Sequence, residues 1–180
     1  MTTNDKDIIY TMREDAEKGF RLLMKSYKEP LYWHIRRLVV SHDDAQDAAQ
    51  EAFIRIFRSF GQYSKANSLR AWLFRIATNE ALRLLGRQKN ATMLSLDDVT
   101  ADLLSSKADA YYDSCDAIAA RLQKAIIHLP AKQQLAFNLR YYDELSYDEI
   151  AEVAGSSAAS AKMNYHLAKE KIIEFMNKND

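Results

Sequence analysis

Between Arg55 and Lys89 the chain carries Arg55, Arg58, Lys65, Arg70, Arg75, Arg83, Arg87 and Lys89 against the single acid Glu80, interleaved with Tyr63, Trp72 and Phe74. Cations neutralise phosphates and flat rings stack on unpaired bases, so the combination suits single-stranded nucleic acid. The stretch alone leaves a second reading open, in which Trp72 is a core residue and the arginines only solubilise. A second set of polar side chains, Ser157, Ser160, Lys162, Met163, Asn164, His166 and Lys169, falls at helical spacing near the C-terminus. Neither set is catalytic in type. There is no Gly-rich phosphate loop and no nucleophile with a nearby base, and His34, His42, His128 and His166 lie on separate segments. The sequence predicts binding chemistry, with no enzyme activity, metal or cofactor.

The second set is positioned by LSYDEIAEVAGSSAASAKMNYHLAKEKI, from Leu145 to Ile172, which has the grammar of a helix-turn-helix. Ser146 can accept an orphan amide while Glu149 reaches back to the Ser146 amide, a capping box. Ile150, Ala151, Val153 and Ala154 give a short apolar stripe. Gly155 stands where the turn needs a left-handed residue. Ser156 or Ser157 restarts the chain as a second N-cap, and a helix through Lys171 follows. Such a pair delivers one helix to the major groove, although two helices of an ordinary bundle would share much of the pattern.

The first set needs helices too. Asp7 to Tyr27 reads as one helix with Gly19 as a weak point, and Pro30 opens another that ends at Ser41 and carries Trp33, read as packing. Ser41 with Asp44 caps SHDDAQDAAQEAFIRIFRSFG, whose Ala45, Ala49, Ala52, Phe53, Ile56 and Phe60 must face a core. Its opposite face offers Asp43, Asp47, Gln50, Glu51 and Ile54; a merely solvated face is the bland alternative. The polar loop Gly61 to Asn67 precedes a helix capped by Ser68, with Leu69, Leu73, Ile76, Ala77, Ala81 and Leu84 as its apolar line.

Composition sets the frame. The 180 residues include four glycines and two prolines, with 48% hydrophobic content and formal net charge +0. That content supports packed cores and argues against a turn-rich β protein. The start MTTNDKDIIY lacks a signal peptide's basic and apolar regions, and no run of about 20 apolar residues exists, so a soluble, cytoplasmic protein without membrane insertion is expected. Cys115, the only cysteine, excludes an internal disulfide. The neutral total conceals segregation: Ala91 to Asp116 reads as a linker with Asp97, Asp98, Asp102, Asp109, Asp113 and Asp116 against Lys107. Helices resume at Ala117, with a stripe of Ile118, Leu122, Ile126 and Leu129, and Pro130 starts another. The expected fold is all-α: two small helical domains, residues 1–90 and 117–180, joined by a flexible acidic linker, 91–116.

On these residues the chain resembles a known family. DDAQDAAQEAFIRIFRSF followed by SLRAWLFRIATNEALRLL is similar to the core-binding and promoter-melting region of bacterial sigma factors. LPAKQQLAFNLRYYDELSYDEIAEVAGSSAASAKMNYHLAKEKI resembles their C-terminal DNA-binding region. Two domains with a short linker resemble the extracytoplasmic-function (group IV) members of the sigma-70 family. The resemblance implies that Asp47, Gln50, Glu51 and Ile54 dock on the clamp helices of the polymerase largest subunit. It implies minus-ten contacts for Tyr63, Ser64, Lys65, Asn67, Arg70, Trp72, Arg75, Asn79 and Arg83, with a flipped base captured by the loop. It also implies minus-thirty-five contacts for Ser157, Ser160, Lys162, Met163, Asn164, His166 and Lys169, and adds the polymerase flap as a second partner surface. The acidic linker would thread the RNA exit path. An anti-sigma factor would wedge between the domains and cover Asp47 to Ile54, and the free chain would bind promoter poorly because its tether leaves the domains unaligned.

The chain departs from the family pattern at several places. Asn164 and Leu167 stand where many relatives have arginine, Glu170 stands among the cations, and Leu69 replaces an aromatic. Ala161 replaces a β-branched residue, and Ser156 an apolar one. Two other readings remain at this point: a helix-turn-helix regulator acting without polymerase, and a helical adaptor that binds no DNA.

Overall fold

The computed structural model describes residues 4–88, 96 and 116–178, and among them there is no strand. The helices are α1 (Asp5–Glu14), α2 (Ala16–Val39), α3 (His42–Ser59), α4 (Leu69–Gln88), α5 (Ala117–Ile127), α6 (Ala131–Tyr141), α7 (Tyr147–Ala154) and α8 (Ala158–Lys178), with a 3-10 turn at Phe60–Gln62. The all-α expectation and its two helical groups hold. The linker expectation lies outside the described residues, apart from Leu96, which packs on the core, and Asp116, which caps α5 through the amides of Ile118 and Ala119.

The N-terminal helix differs from expectation. Asp15 takes an extended conformation (φ −145°, ψ 100°) and its carboxylate accepts the Lys18 amide, so it ends α1 and caps α2. The two helices then fold back on each other. Tyr27 donates to Asp5 at 2.7 Å, and Gly19 lies so close to Met12 that an added Cβ would stand 2.3 Å from its backbone nitrogen. Gly19 is therefore a site of close approach rather than a weak point. Pro30 does not begin a helix either; α2 runs through it. An interior proline costs about 3 kcal/mol, and burial of Tyr27, Leu31, His34 and Ile35 around it offsets that cost.

Helix α3 shows the expected division. Ser41 caps it, Ala45, Ala48, Ala49, Ala52, Phe53 and Ile56 are buried, and the small alanines let it lie against α2 and α4. In the second group, Pro130 precedes α6 as expected and Ile126 and Leu129 are buried, but Ile118 points to solvent.

The two groups do not behave as loosely tethered units. α4 packs on α7 and α2 touches α6, and one buried cluster runs from Ile8 in α1 through Leu73 and Phe74 in α4 to Leu139, Leu145, Ile150 and Val153. The expectation of unaligned domains is thus corrected. It failed because the apolar positions on the second side of α4 have no local partner, and only another part of the chain can cover them.

A polar cluster is buried at this junction. His34 is fully buried, with Nε2 2.8 Å from Thr78 Oγ1, while Thr78 donates its one proton to the Phe74 carbonyl. Nε2 must therefore carry the imidazole proton, which leaves Nδ1 bare and 3.6 Å from Asp143 Oδ2, beyond hydrogen-bond range. Burial holds His34 below its ordinary pKa, outweighing the nearby Asp143 carboxylate, which pulls the other way; the Arg37 charge also lowers it.

Two measurements test this account. Gly19→Ala should lower unfolding stability by about 1–3 kcal/mol, the usual cost of overpacking, whereas Gly61→Ala, with nothing within 4 Å, should stay within about 0.5 kcal/mol. The second concerns pH. Below about 6.5 the unfolded chain takes up a proton at His34 that the folded chain resists, so stability falls with acidification, by at most about 1.4 kcal/mol per pH unit from this site. His34→Gln should flatten the dependence of the urea midpoint between pH 7 and pH 5, and an unchanged slope would contradict the assignment.

Candidate protein- and nucleic-acid-binding surfaces

The acidic row on α3 is held rigidly because the other side of the helix is core. Asp47, Gln50, Glu51 and Ile54 are all exposed on one ridge. Hollows flank the ridge on both sides. One is a groove of about 950 Å³ between α2 and α3, where Tyr32 and Trp33 stand opposite Asp47 and Gln50. The other, about 480 Å³, is shared with the end of α4 and includes Glu51 and Arg87. A ridge between two hollows, acidic with an apolar end, is complementary in charge to a basic surface. Trp33 was expected to pack inside, yet it is 46% exposed on the groove rim, edge-on to Tyr32 at 5.2 Å. Phe57 is also exposed and leans on Phe20 at 5.1 Å. Sequence reasoning missed both. The signal was available: Tyr32 and Trp33 are adjacent and cannot share one helix face, and Phe57 lies three residues after Ile54.

The loop before α4 is ordered by its own bonds. Tyr63 is only 6% exposed; its hydroxyl donates to the Asn67 carbonyl at 2.7 Å, and its ring stacks on Phe60 and tilts against Trp72. Burial raises the Tyr63 phenol above its ordinary pKa. Ser64 accepts the Ala66 amide, so Ser64, Lys65 and Asn67 are displayed at the tip over an aromatic floor. Two of the aromatics expected to interleave with the cations, Tyr63 and Phe74, are thus core residues, and Trp72 is half-buried.

The basic stretch is likewise partly engaged. Glu80, 3% exposed, pairs with Arg55 of α3 and with Arg83 at 3.2 Å. A buried carboxylate without such partners would be strongly destabilising, so these arginines have a structural role. Arg70 donates to the backbone carbonyl of Asp143. Arg75 and Lys65 are exposed and Asn79 half-buried, so the nucleic-acid surface legible here is narrower than the list of cations.

The C-terminal motif forms as its sequence grammar requires. Both halves of the capping box are present: the Glu149 amide donates to Ser146 Oγ at 3.1 Å and the Ser146 amide to Glu149 Oε2 at 2.9 Å. Gly155 adopts φ 64°, ψ 40°, and its amide and that of Ser156 both reach the Ala151 carbonyl. The second cap is Ser157, which accepts the Ser160 amide, and α8 continues past the expected end to Lys178. Lys162, His166 and Met163, the last 60% exposed, face outward. Ser160 and Asn164 sit half-buried beside the turn, and Lys169 lies over the Tyr165 ring at 4.9 Å. Ala161, small where a branched residue is common, is buried against the first helix of the pair.

Glu149 has a further contact, a hydrogen bond from Ser68 Oγ at 2.8 Å. Burial pushes its carboxyl upward, but the Ser146 and Ser68 hydrogen bonds and the Arg70 charge outweigh that and hold it below the ordinary value.

Comparisons with known proteins agree with this geometry. Residues 23–91 match the family described as Sigma-70 region 2, and residues 119–172 match Sigma-70, region 4. The chain is similar to the RNA polymerase sigma-H factor of Pseudomonas aeruginosa, 28% identical over 179 residues, covering 93% of this chain and 91% of that one. It is also similar to the ECF RNA polymerase sigma factor SigW of Bacillus subtilis, 26% identical and covering 93% and 94%. Among solved structures, CnrH in complex with the cytosolic domain of CnrY shares the fold with TM-score 0.74 at 18% identity, covering 98% of this chain and 99% of that one. The sigma factor RpoE of Bartonella quintana, in complex with the anti-sigma factor NepR, gives 0.66 at 23%, covering 89% and 98%. With the α3–α4 unit and the helix-turn-helix matched in this order, the chain belongs to the sigma-70 family of RNA polymerase sigma factors, in its extracytoplasmic-function group.

Proposed function

We propose that this sigma factor docks on the clamp helices of core RNA polymerase through Asp47, Gln50, Glu51 and Ile54, and reads promoter DNA with its two helical units. Residues 1–90 act as region 2, 117–180 as region 4, and 91–116 as the connecting segment. The observation that carries the reading is the exposed acidic ridge of α3, fixed by a fully buried alanine face on the same rigid unit as the loop and α4. Trp33 and Phe57 add apolar contact at the edges of that ridge.

Promoter opening exposes unpaired bases, and the tip residues Ser64, Lys65 and Asn67 are placed to receive one above the Tyr63, Phe60 and Trp72 floor. Base extrusion costs a few kcal/mol, which phosphate contacts from the exposed Lys65 and Arg75 and contacts from Asn79 would offset, while Arg70 and Arg83 are engaged by Asp143 and Glu80. On α8, Lys162 and Lys169 address phosphates, while Ser157, Ser160, Met163, Asn164 and His166 face base edges of the minus-thirty-five element. A sigma factor regulates transcription by binding, so we assign the chain no reaction, metal or cofactor of its own. Working with polymerase places it in the cytoplasm; no helix among the described residues is long and apolar enough to cross a membrane. An anti-sigma factor, like the one bound to the structural neighbour RpoE, is the proposed regulator.

Run-off transcription with purified core polymerase on a promoter library tests the reading. Discrete start sites should require the protein, and Glu51→Lys should reduce initiation at all of them about tenfold or more, a loss of roughly 1.4 kcal/mol of docking energy. His166→Ala should instead redistribute initiation among promoters, since a base contact is worth about 1–3 kcal/mol of discrimination. Tight duplex binding by the free protein, with no initiation, would point to a regulator that acts without polymerase.

A further inference from the structure

Glu80 holds two arginines by one atom. It is 3% exposed, on the side of α4 that packs against α3. Arg83 donates from Nη1 to Glu80 Oε1 at 3.2 Å, and Nε of Arg55, on α3, meets the same oxygen. Two like charges are thereby fixed side by side across the α3–α4 seam. Both side chains keep much of their surface in solvent, 47% for Arg55 and 40% for Arg83. A guanidinium has five N–H donors in a planar fork. Arg55 engages Glu80 through Nε and Arg83 through Nη1, so each retains donors for a second partner.

One carboxylate cannot neutralise two guanidiniums, so the cluster carries net positive charge. The seam extends it. Arg58, exposed, follows Arg55 on α3, while Arg75, Asn79 and Arg83 recur at i, i+4 and i+8 and so form one row on α4. Arg87, one turn further, shares a hollow with Asp44, Asp47 and Glu51, where the acidic ridge begins. The acids of α3 all lie at that end, which leaves the Arg58 end of the seam cationic.

We propose that the Arg55–Glu80–Arg83 cluster is a preorganised phosphate clamp and that, with Arg58, it holds the backbone of an unpaired strand along the α3–α4 seam; the inference rests on the single-strand reading of α4 given above. Geometry carries the choice of ligand. A phosphodiester offers two anionic oxygens, and two forks held at a fixed spacing meet them with charge-assisted bonds that flexible lysines would have to align first. Glu80 supplies the order: buried and shared, it removes rotamer freedom that each arginine would otherwise lose on binding. Neutralising Glu80 alone requires one arginine, and the second brings uncompensated charge to the surface. The assignment gives α3 two roles on adjoining faces. Its acidic ridge addresses polymerase while Arg55 and Arg58 address the strand, so one rigid helix sets the register between docking and strand capture.

The test uses the full chain assembled with purified core polymerase, titrated with a fluorescent single-stranded oligonucleotide between about 50 and 200 mM salt. Arg55→Gln and Arg83→Gln should each weaken binding about tenfold. Each should also make the slope of log affinity against log salt shallower by about 0.7, the value of one phosphate contact on a single strand. A purely structural role would leave that slope unchanged. Arg55→Lys should restore the slope but only part of the affinity, because the charge returns without the fork. Glu80→Gln separates orientation from charge: added positive charge alone would tighten binding, whereas loss of the clamp should weaken it. Circular dichroism checks that each variant keeps its helicity. Arg58→Gln, which leaves Glu80 and both its partners in place, carries the same slope prediction should Arg55→Gln not fold. Unchanged slopes in the folded arginine variants, or tighter binding by Glu80→Gln, would overturn the clamp. Variants that lose core polymerase but keep the wild-type slope as free chains would overturn it too, by showing that these arginines face a protein. A wild-type chain that binds core polymerase but no oligonucleotide would sink the single-strand reading, and the clamp with it.

Discussion

Helix α4 is buried from nearly every side, and the rest of the structure follows from satisfying it. Leu69, Ala71, Leu73, Phe74, Ile76, Ala77, Thr78, Ala81, Leu82, Leu84 and Leu85 are buried, which at 100° per residue goes around the cylinder rather than along a stripe. A helix of that kind must be covered by several neighbours. α2 and α3 supply one side and α7 the other, so the first helix of the helix-turn-helix also forms part of the wall around the core helix of the first group.

Burying α4 has electrostatic consequences. Glu80 comes into the core with it and is neutralised by Arg55 and Arg83, while Thr78 engages His34, and Arg70 reaches the Asp143 carbonyl. Several side chains that look like a phosphate-binding surface are thereby tied to the fold. This reconciles the formal net charge of +0 with a nucleic-acid-binding family: what matters is which cations remain presented, and Lys65 and Arg75 at one surface and Lys162 at the other are presented.

Local features were legible in the sequence, and features closed over distance were not. The capping box at Ser146 and Glu149, the left-handed Gly155 and the alanine face of α3 depend on neighbours within four residues, so pattern reading placed them correctly. The break at Asp15 was equally local, but an aspartate within an apolar period reads as a surface residue unless its capping role is considered. Pro30 misled because tertiary burial overrode a strong local preference. Tyr63 and Phe74 misled because aromatic type does not reveal which side of the helix is covered, and the cover comes from residues far along the chain. Asp143 carried no sequence signal: in YYDEL it resembles any loop acid, and only the approach of Arg37, more than a hundred positions earlier, gives it a role.

The modest basicity of α8 fits this arrangement. Glu170 stands among its cations and Asn164 is half-buried by the turn, so the helix alone has few phosphate contacts from which to draw affinity. A weak reader becomes effective once a second contact has been made, because linkage turns the next contact into an intramolecular one at an effective concentration near millimolar for short linkers. Docking of the α3 ridge would provide that first contact.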